Sequence, residues 1–429
     1  MADLDCKAET LTTPQKQTML SLAFSGIVNS ATLPKYQDFI AKYLRPETPR
    51  LIFDLSGLSY INSSGLGELV RCQDICRESG GDLVLIKVPP DIIRIIRIIG
   101  FHAIIKLFPD RKRAAEYFDL GTVEPIEKEY ARVAPKPPPS GKVRRPRPYK
   151  RRFPRTPIEA AVMLVIPETN VFSDILAIRW GKGQTGGKFS ITKDQAETMA
   201  AIAQNRPDLI IIDNTVGKAD ELCMDLKSKK DSSLIGVVRL YGNDDRSRKE
   251  MRVLENDSVT EPFEYNELFA VSEAELKRAS DEKKFLSHQI SIEFACNDKA
   301  IDAANHLMAD MVRQADFNEY DASELRTAVR EAIDNAYHHG NLGDMGKLIR
   351  CDCVLDHEKA VITVKDDGKG FDYEYYLSLG RETDAQERAR MRQREGKPGG
   401  LGIMLMMRCL DLLKYEGDGH ICRLTKKFS

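Results

Sequence analysis

Two polar side chains four residues apart, Glu331 and Asn335, carry the first chemistry that the sequence offers. On a helix, positions so spaced are neighbours on one face. A carboxylate there can take a proton from a hydroxyl, and the amide beside it can ligate magnesium. His338, His339 and Gly340 follow a turn further on. Two glycine-bearing boxes come later. Asp366-Asp367-Gly368-Lys369-Gly370-Phe371 is the first, and Gly399-Gly400-Leu401-Gly402-Ile403 follows about thirty residues on. Glycines at such points let backbone approach phosphates and let the segment between them hinge as a lid. Each box is a weak signal alone.

The elements that must position these residues are legible around them. Leu325, Ala328, Val329, Ala332, Ile333 and Ala336 recur at helical spacing and predict a helix with one apolar stripe. Asp321 and Glu324 form a capping-box-like start for it. Ile349–Leu355 and Ala360–Lys365 read as a hairpin that runs directly into Asp366.

The three boxes occur in the order and spacing of the GHKL ATPase superfamily. Over residues 286–429 the chain is similar to the anti-sigma-factor serine kinases, with Ile290–Phe294 and Lys299–Ala315 as the family's opening strand and helix. The resemblance implies that ATP and Mg2+ are bound. It implies that Glu331 is the general base for a substrate hydroxyl and that Asn335 binds magnesium. Asp366 would accept the adenine amino hydrogen bond, while Gly368 and Gly370 shape the nucleotide pocket. Gly400 and Gly402 would approach the phosphates, with Arg394 and Lys397 on the lid. Ile421 stands where relatives often carry threonine near adenine. Phe285-Leu286-Ser287-His288-Gln289 has the look of a histidine-kinase phosphoacceptor box, but the acidic-Leu-Arg pattern after it is missing. Only 42 residues separate His288 from Glu331, too few for a phosphoacceptor bundle, so His288 reads as a surface histidine.

A second constellation lies near the amino terminus, in Phe53-Asp54-Leu55-Ser56-Gly57-Leu58-Ser59-Tyr60-Ile61-Asn62-Ser63-Ser64-Gly65-Leu66-Gly67. Residues 18–120 resemble the STAS domains of anti-sigma-factor antagonists. In that family the first serine after a strand is a phosphorylation target, and here it is Ser63. The plain alternative is that Ser63 only caps a helix. The expected helix start places its hydroxyl at the protein surface, where a phosphoryl group would meet free amides. Asn62 departs from the family's usual aspartate.

Between these regions, Val162–Ile166, Lys188–Ile191, Leu209–Ile212, Ile235–Leu240 and Ser258–Val259 read as short strands separated by helical segments. Five such repeats predict a doubly wound parallel sheet. Residues 158–275 resemble a two-component receiver with Asp213 at the phosphoacceptor position. The supporting chemistry is depleted: Pro167-Glu168 replaces an acidic pair, Tyr241 replaces a small hydroxyl and Glu261 replaces a lysine. The resemblance implies a pseudo-receiver used for docking, with Asp213 left unphosphorylated.

Composition frames the rest. Hydrophobic residues are 42% and charged residues 30% of 429, with net charge -1, which gives no specific nucleic-acid or membrane signal. Nine scattered cysteines read as reduced thiols. An acidic start without an apolar stretch argues against a signal peptide, so the cytoplasm is expected. From Pro135 to Pro157 there are eight prolines, and Lys142–Arg155 holds eight basic residues and no acidic one. That composition is a linker.

The expected fold is α/β and α+β in several domains. Residues 1–122 form a STAS α/β sandwich, 123–157 a linker and 158–275 the receiver-like sheet. Residues 276–285, within the charged stretch Glu273–Leu286, form a helical connector to a GHKL (Bergerat) ATP-binding α/β sandwich at 286–429. The expected function is an ATP-dependent protein-serine kinase of the anti-sigma-factor type, fused to an antagonist-like domain in bacterial partner switching. The expected partners are a STAS-type antagonist in cis or in trans, a sigma factor and a PP2C-type phosphatase; a homodimer is allowed. The alternative is a scaffold that binds ATP and a regulatory partner without transferring phosphate.

Overall fold

Alternating and continuous apolar runs dictate the elements of the chain. The structure is a computed structural model and describes residues 4–13, 15, 17–45, 49–121, 160–180, 188–213, 215–242, 250–382 and 401–428. The first region runs β1 Asp5–Thr12, β2 Thr18–Val28, α1 Leu33–Tyr43, β3 Arg50–Ile61 and α2 Ser63–Glu78. It continues through β4 Asp82–Ile86, α3 Pro90–Ile98, β5 Lys106–Phe108 and α4 Arg111–Leu120. The middle opens with β6 Ala161–Val165, α5 Val171–Trp180, β7 Lys188–Thr192, α6 Gln195–Gln204 and β8 Leu209–Ile212. Then come α7 Ala219–Ser228, β9 Gly236–Tyr241, β10 Met251–Val253, β11 Asp257–Thr260 and α8 Tyr265–Glu282. The last region begins β12 Leu286–Ala295, α9 Asp298–Arg313, α10 Glu319–Asn335, β13 Leu348–Asp356 and β14 Lys359–Lys365. It ends with α11 Tyr373–Glu382, α12 Leu401–Cys409, β15 Leu412–Glu416 and β16 Ile421–Lys427. The proline-rich segment 123–157 lies outside the described residues.

These elements form two compact units, neither continuous in sequence. One comprises Met1–Pro139, Glu319–Gly340 and Gly368–Leu424. Its sheet has the order β1-β2-β3-β4-β5, with β1 antiparallel to β2 and the remaining pairs parallel. Phe24 meets Tyr36 and Phe53 edge-on at 4.9 and 5.1 Å, which locks α1 onto the sheet. The opposite face packs Met19, Ile52, Val84, Ile86 and Phe108 against Ala114 of α4. The apolar run from Ile92 becomes α3, which buries Ile92, Ile95 and Ile96 and turns Asp91 and Arg94 away from that core. In the same unit, α12 packs against α10, α2 and α3. Helix α10 starts at Glu319, two residues before the expected cap. Asp321 and Glu324 are both buried within the helix instead.

The second unit comprises Ser140–Asn318, Asn341–Asp367 and Thr425–Ser429. Its parallel sheet has the order β11-β9-β8-β6-β7, the 2-1-3-4-5 winding of receiver and flavodoxin folds. Leu164, Ile211, Val238 and Leu240 line one face, and Met163, Ile210, Ile212 and Val237 the other. Runs buried on both sides explain why these strands are continuously apolar. Strands β10, β12, β13 and β14 stand side by side, antiparallel, as a separate sheet. Strand β10 was not foreseen. It pairs Met251, Arg252 and Val253 with Phe294, Glu293 and Ile292. The ladder extends through Ala295 N–H to the Glu250 carbonyl at 2.8 Å and Leu254 N–H to the Ser291 carbonyl at 2.8 Å. Arg252 also pairs with Glu293 at 3.2 Å. The segment joining two strands of the parallel sheet thus lends an edge strand to another sheet.

Two expectations change here. Residues 273–286 are not a separate connector: α8 begins at Tyr265, and Leu286 already opens β12. His288 is not a surface residue. Strand alternation turns it inward, fully buried, with Nε2 at 3.1 Å from the Lys227 carbonyl. Burial lowers its pKa, so the ring is neutral.

Lys227 is itself 3% exposed. Burial brings its pKa down to about 7. Its ammonium donates to the carbonyls of Ser233 and Ile235 at 2.8 and 2.6 Å and to Asn256 Oδ1 at 2.7 Å. One side chain therefore ties the end of α7 to the loops before β9 and β11. Lys227→Met should deprive the buried Ser233 and Ile235 carbonyls of their donor at about 1–3 kcal/mol each, while Asn256 Oδ1 keeps the Val237 amide at 2.8 Å. A clear fall in the urea midpoint of the full chain is the expected outcome, and an unchanged midpoint would remove this role.

Candidate functional site

Asn62 ends β3 in extended backbone, and its Oδ1 accepts the Gly65 amide at 2.9 Å, which caps α2. The asparagine that departs from the family pattern thus performs the cap. Gly65 allows the helix to start close against the strands, because a Cβ there would lie 2.8 Å from Ile61 and from Val28. Ser63 is the first residue of α2 and not its cap. Its Oγ donates to Glu331 Oε1 at 2.7 Å. Ser63 is only 6% exposed, which corrects the expectation of a surface hydroxyl. The reason is that α10 covers the start of α2 within the same unit.

Glu331 is 4% exposed. Burial raises its pKa, while the hydroxyl and the amide of Ser63 oppose that rise by favouring the charged form. Helix α12 closes the other side. A Cβ on Gly402 would lie 2.0 Å from Glu331 Oε1, so only glycine lets the first turn of α12 approach the carboxylate. Asn335 follows one turn along α10 and is half-buried. The chain then widens into a single π-helical turn over Ala336–Gly340, which contains His338 and His339.

Contacts around this pair were not read from the sequence. Arg330 lies over the Tyr60 ring, 4.0 Å from its centroid. Ser323 Oγ donates to Asp91 Oδ1 at 3.2 Å. Arg94 lies 5.1 Å from the Tyr320 centroid, and Arg408 donates to the Ile98 carbonyl at 2.8 Å. Ordinary polar residues on α3 and α10 offer no periodic or motif signal, so only the three-dimensional arrangement reveals them.

Gly370 has φ +77, and Phe371 N–H donates to the Asp418 carbonyl at 2.8 Å. A Cβ at Gly370 would lie 1.9 Å from that oxygen, so this turn requires glycine. Gly368 precedes it in the same unit. Asp366 belongs to the other unit, at the end of β14, and is buried. There Asn341, fully buried, accepts the Asp367 amide at 2.8 Å and donates to the Leu348 carbonyl at 3.0 Å. It fixes the backbone that follows Asp366, a role missed from sequence although Asn341 directly follows Gly340. Ile421 opens β16 and is half-buried. Gly400, Arg394 and Lys397 lie outside the described residues.

In the parallel sheet, Asp213 follows β8 and its Oδ1 accepts the Thr215 amide at 2.9 Å and the Thr215 hydroxyl. Tyr241 is buried under Arg239, 4.7 Å from its ring, and its hydroxyl donates to Glu255 at 3.1 Å. Arg239 pairs with Asp220. Asp213 and Tyr241 are thus each engaged by neighbours in the same sheet region. Among the described residues no group of three or more His, Cys, Asp or Glu side chains could hold a metal ion, and no helix is long and apolar enough to cross a membrane.

Comparisons with known proteins find relatives at both ends of the chain. Residues 10–114 match the STAS domain family, and residues 294–426 the histidine kinase-like ATPase domain family. A putative anti-sigma factor antagonist, BtrV of Bordetella bronchiseptica, is 31% identical over 108 residues, 25% of this chain and 93% of the relative. An anti-sigma F factor of Clostridium beijerinckii is 25% identical over 145 residues, 33% of this chain and 96% of the relative. Among solved structures, a signal receiver domain from Syntrophus aciditrophicus is 20% identical, with TM-score 0.24, over 28% of this chain and 91% of that one. Through its amino-terminal region the chain belongs to the STAS family of anti-sigma-factor antagonists, and it carries a histidine kinase-like ATPase domain at its carboxy-terminal end.

Proposed function

We propose that the chain is an ATP-dependent protein-serine kinase whose substrate is Ser63 of its own STAS domain, working as a partner-switching regulator. The observation that carries this is the 2.7 Å hydrogen bond from Ser63 Oγ to Glu331 Oε1. A general base must lie within such reach of the proton it removes. Glu331 takes the hydroxyl proton as the Ser63 oxygen bonds to the terminal phosphorus of ATP, and ADP leaves with the electrons of the broken P–O bond. Burial keeps water from competing for the phosphoryl group.

The residues fit this substrate. Asn335, one turn from the base, would hold magnesium, which supplies charge neutralisation at the phosphates. Gly402 lets α12 approach the base and Gly370 lets its own turn close on Asp418, while Asp366 is a buried carboxylate suited to an adenine amino group. Product release follows from electrostatics. Once Glu331 has passed on the proton it took, a phosphoryl group on Ser63 sets about -1.5 to -2 charges against its carboxylate in a site only 4% exposed on that side. Like charges so desolvated separate. The STAS domain then leaves, and the kinase face is free for another protein. The anti-sigma F factor relatives point to a sigma factor as that protein, with a PP2C-type phosphatase to reset Ser63. The pseudo-receiver serves as a docking module: acetyl phosphate should leave Asp213 unmodified by intact mass, and a stable acyl phosphate there would make it a live input.

Full-length protein incubated with labelled ATP should acquire one phosphate at Ser63, mapped by mass spectrometry. Glu331→Gln should retain ATP binding and slow that transfer by about 10²–10⁴-fold. ATP binding without any phosphate on Ser63 in the wild type would leave a nucleotide-binding scaffold. Because the base must be ionised and its pKa is raised, the rate should fall with pH at values above the ordinary glutamate range. Asp366→Asn should weaken ATP binding by about 1–3 kcal/mol in calorimetry. Wild-type affinity in that variant would take Asp366 out of the site.

A further inference from the structure

Arg330 and Glu331 are consecutive on α10, and on a helix consecutive side chains diverge by about 100°. Glu331 reaches Ser63, while Arg330 reaches the ring of Tyr60, with its guanidinium carbon 4.0 Å from the centroid. Tyr60 is 8% exposed and lies three residues before Ser63, at the end of the strand that leads into α2. The ring stays neutral, since burial foremost, then the charges of Asp334 and Glu331, raise its hydroxyl pKa well above the ordinary value. A guanidinium on the face of a neutral, desolvated ring is an attractive arrangement in which the electron-rich face matters and the hydroxyl does not. Two further contacts, Ser323 to Asp91 and Arg408 to the Ile98 carbonyl, tie α3 to α10 and α12 in the same unit.

We infer that Arg330 is the specificity-determining residue of the kinase half, and that it selects STAS partners with an aromatic ring three residues before the target serine. This rests on the proposed phosphorylation of Ser63 and names the feature of the substrate that is read. Reading and chemistry are thereby coupled through one turn of backbone. When the guanidinium is seated on the ring, the adjacent carboxylate is on the hydroxyl. A STAS protein with an aliphatic residue at that place leaves a half-buried guanidinium without the face it covers, and is rejected.

The test uses the full chain with two readouts. The first is the single-turnover rate of Ser63 phosphate formation by intact mass. The second, without ATP, is hydrogen exchange of residues 60–66, which reports seating independently of catalysis. Arg330→Gln and Tyr60→Leu should each slow transfer roughly ten-fold and speed exchange. Tyr60→Phe should match the wild type in both. The double variant Arg330→Gln/Tyr60→Leu should be no worse than either single one, because both remove the same interaction. Multiplying effects in the double variant, a Tyr60→Phe defect equal to that of Tyr60→Leu, or wild-type exchange in Arg330→Gln would each overturn the inference. If the wild type forms no Ser63 phosphate but exchange still follows ring and charge, the kinase reading falls and the recognition contact stands.

Discussion

A carboxylate taken out of water must be compensated where it lies. Glu331 is almost completely enclosed, and the hydroxyl and amide of Ser63 are what meet it. The rest of this unit is arranged to permit that meeting. Asn62 supplies the cap so that Ser63 need not, which frees the serine hydroxyl to face α10. Gly65 lets α2 begin hard against the strands, and Gly402 lets α12 reach the carboxylate from the other side. Remove either glycine and a side chain would stand in the space that the hydrogen bond or its surroundings need.

The same enclosure makes the contact conditional. A neutral hydroxyl is a good neighbour for a buried carboxylate, whereas a phosphate is a poor one. The polar contacts that α3 makes with α10 and α12, Asp91 with Ser323 and the Ile98 carbonyl with Arg408, are single hydrogen bonds of modest net strength. An interface of that kind holds while the carboxylate faces a neutral hydroxyl and yields once a second negative group is added there.

How much of this could be read in advance depended on what each residue's signal was. The strands buried on both faces and the apolar stripe of α10 follow from apolar runs and periodicity, and the glycine boxes follow from order and spacing. Ser63 and Glu331 were singled out from opposite ends of the chain by separate resemblances. Nothing in either stretch encodes that one covers the other, because burial of a serine at a helix start comes from a distant helix. His288 misled for a related reason: one histidine in a polar-looking stretch carries no sign of direction until the alternation of β12 is fixed. Strand β10 is only three residues long, too short for any pattern to register, and its pairing is set by the partner strand. Arg330 had no signal at all, being one more basic residue on a helix.

That short strand has a further meaning for how such a protein can be inherited. Hydrogen bonds from the stretch between β9 and β11 complete the edge of the sheet that contains β12, so the two folds share a seam of backbone. Backbone pairing asks little of side chains but everything of position, and a parallel-sheet domain brought in from another gene would have to offer an extended segment at the same place. Without it, β12 would present open amides and carbonyls, an invitation to unwanted pairing. A lineage that joined these folds could not then reshuffle them freely. They would travel together, and drift in one would be constrained by the geometry of the other.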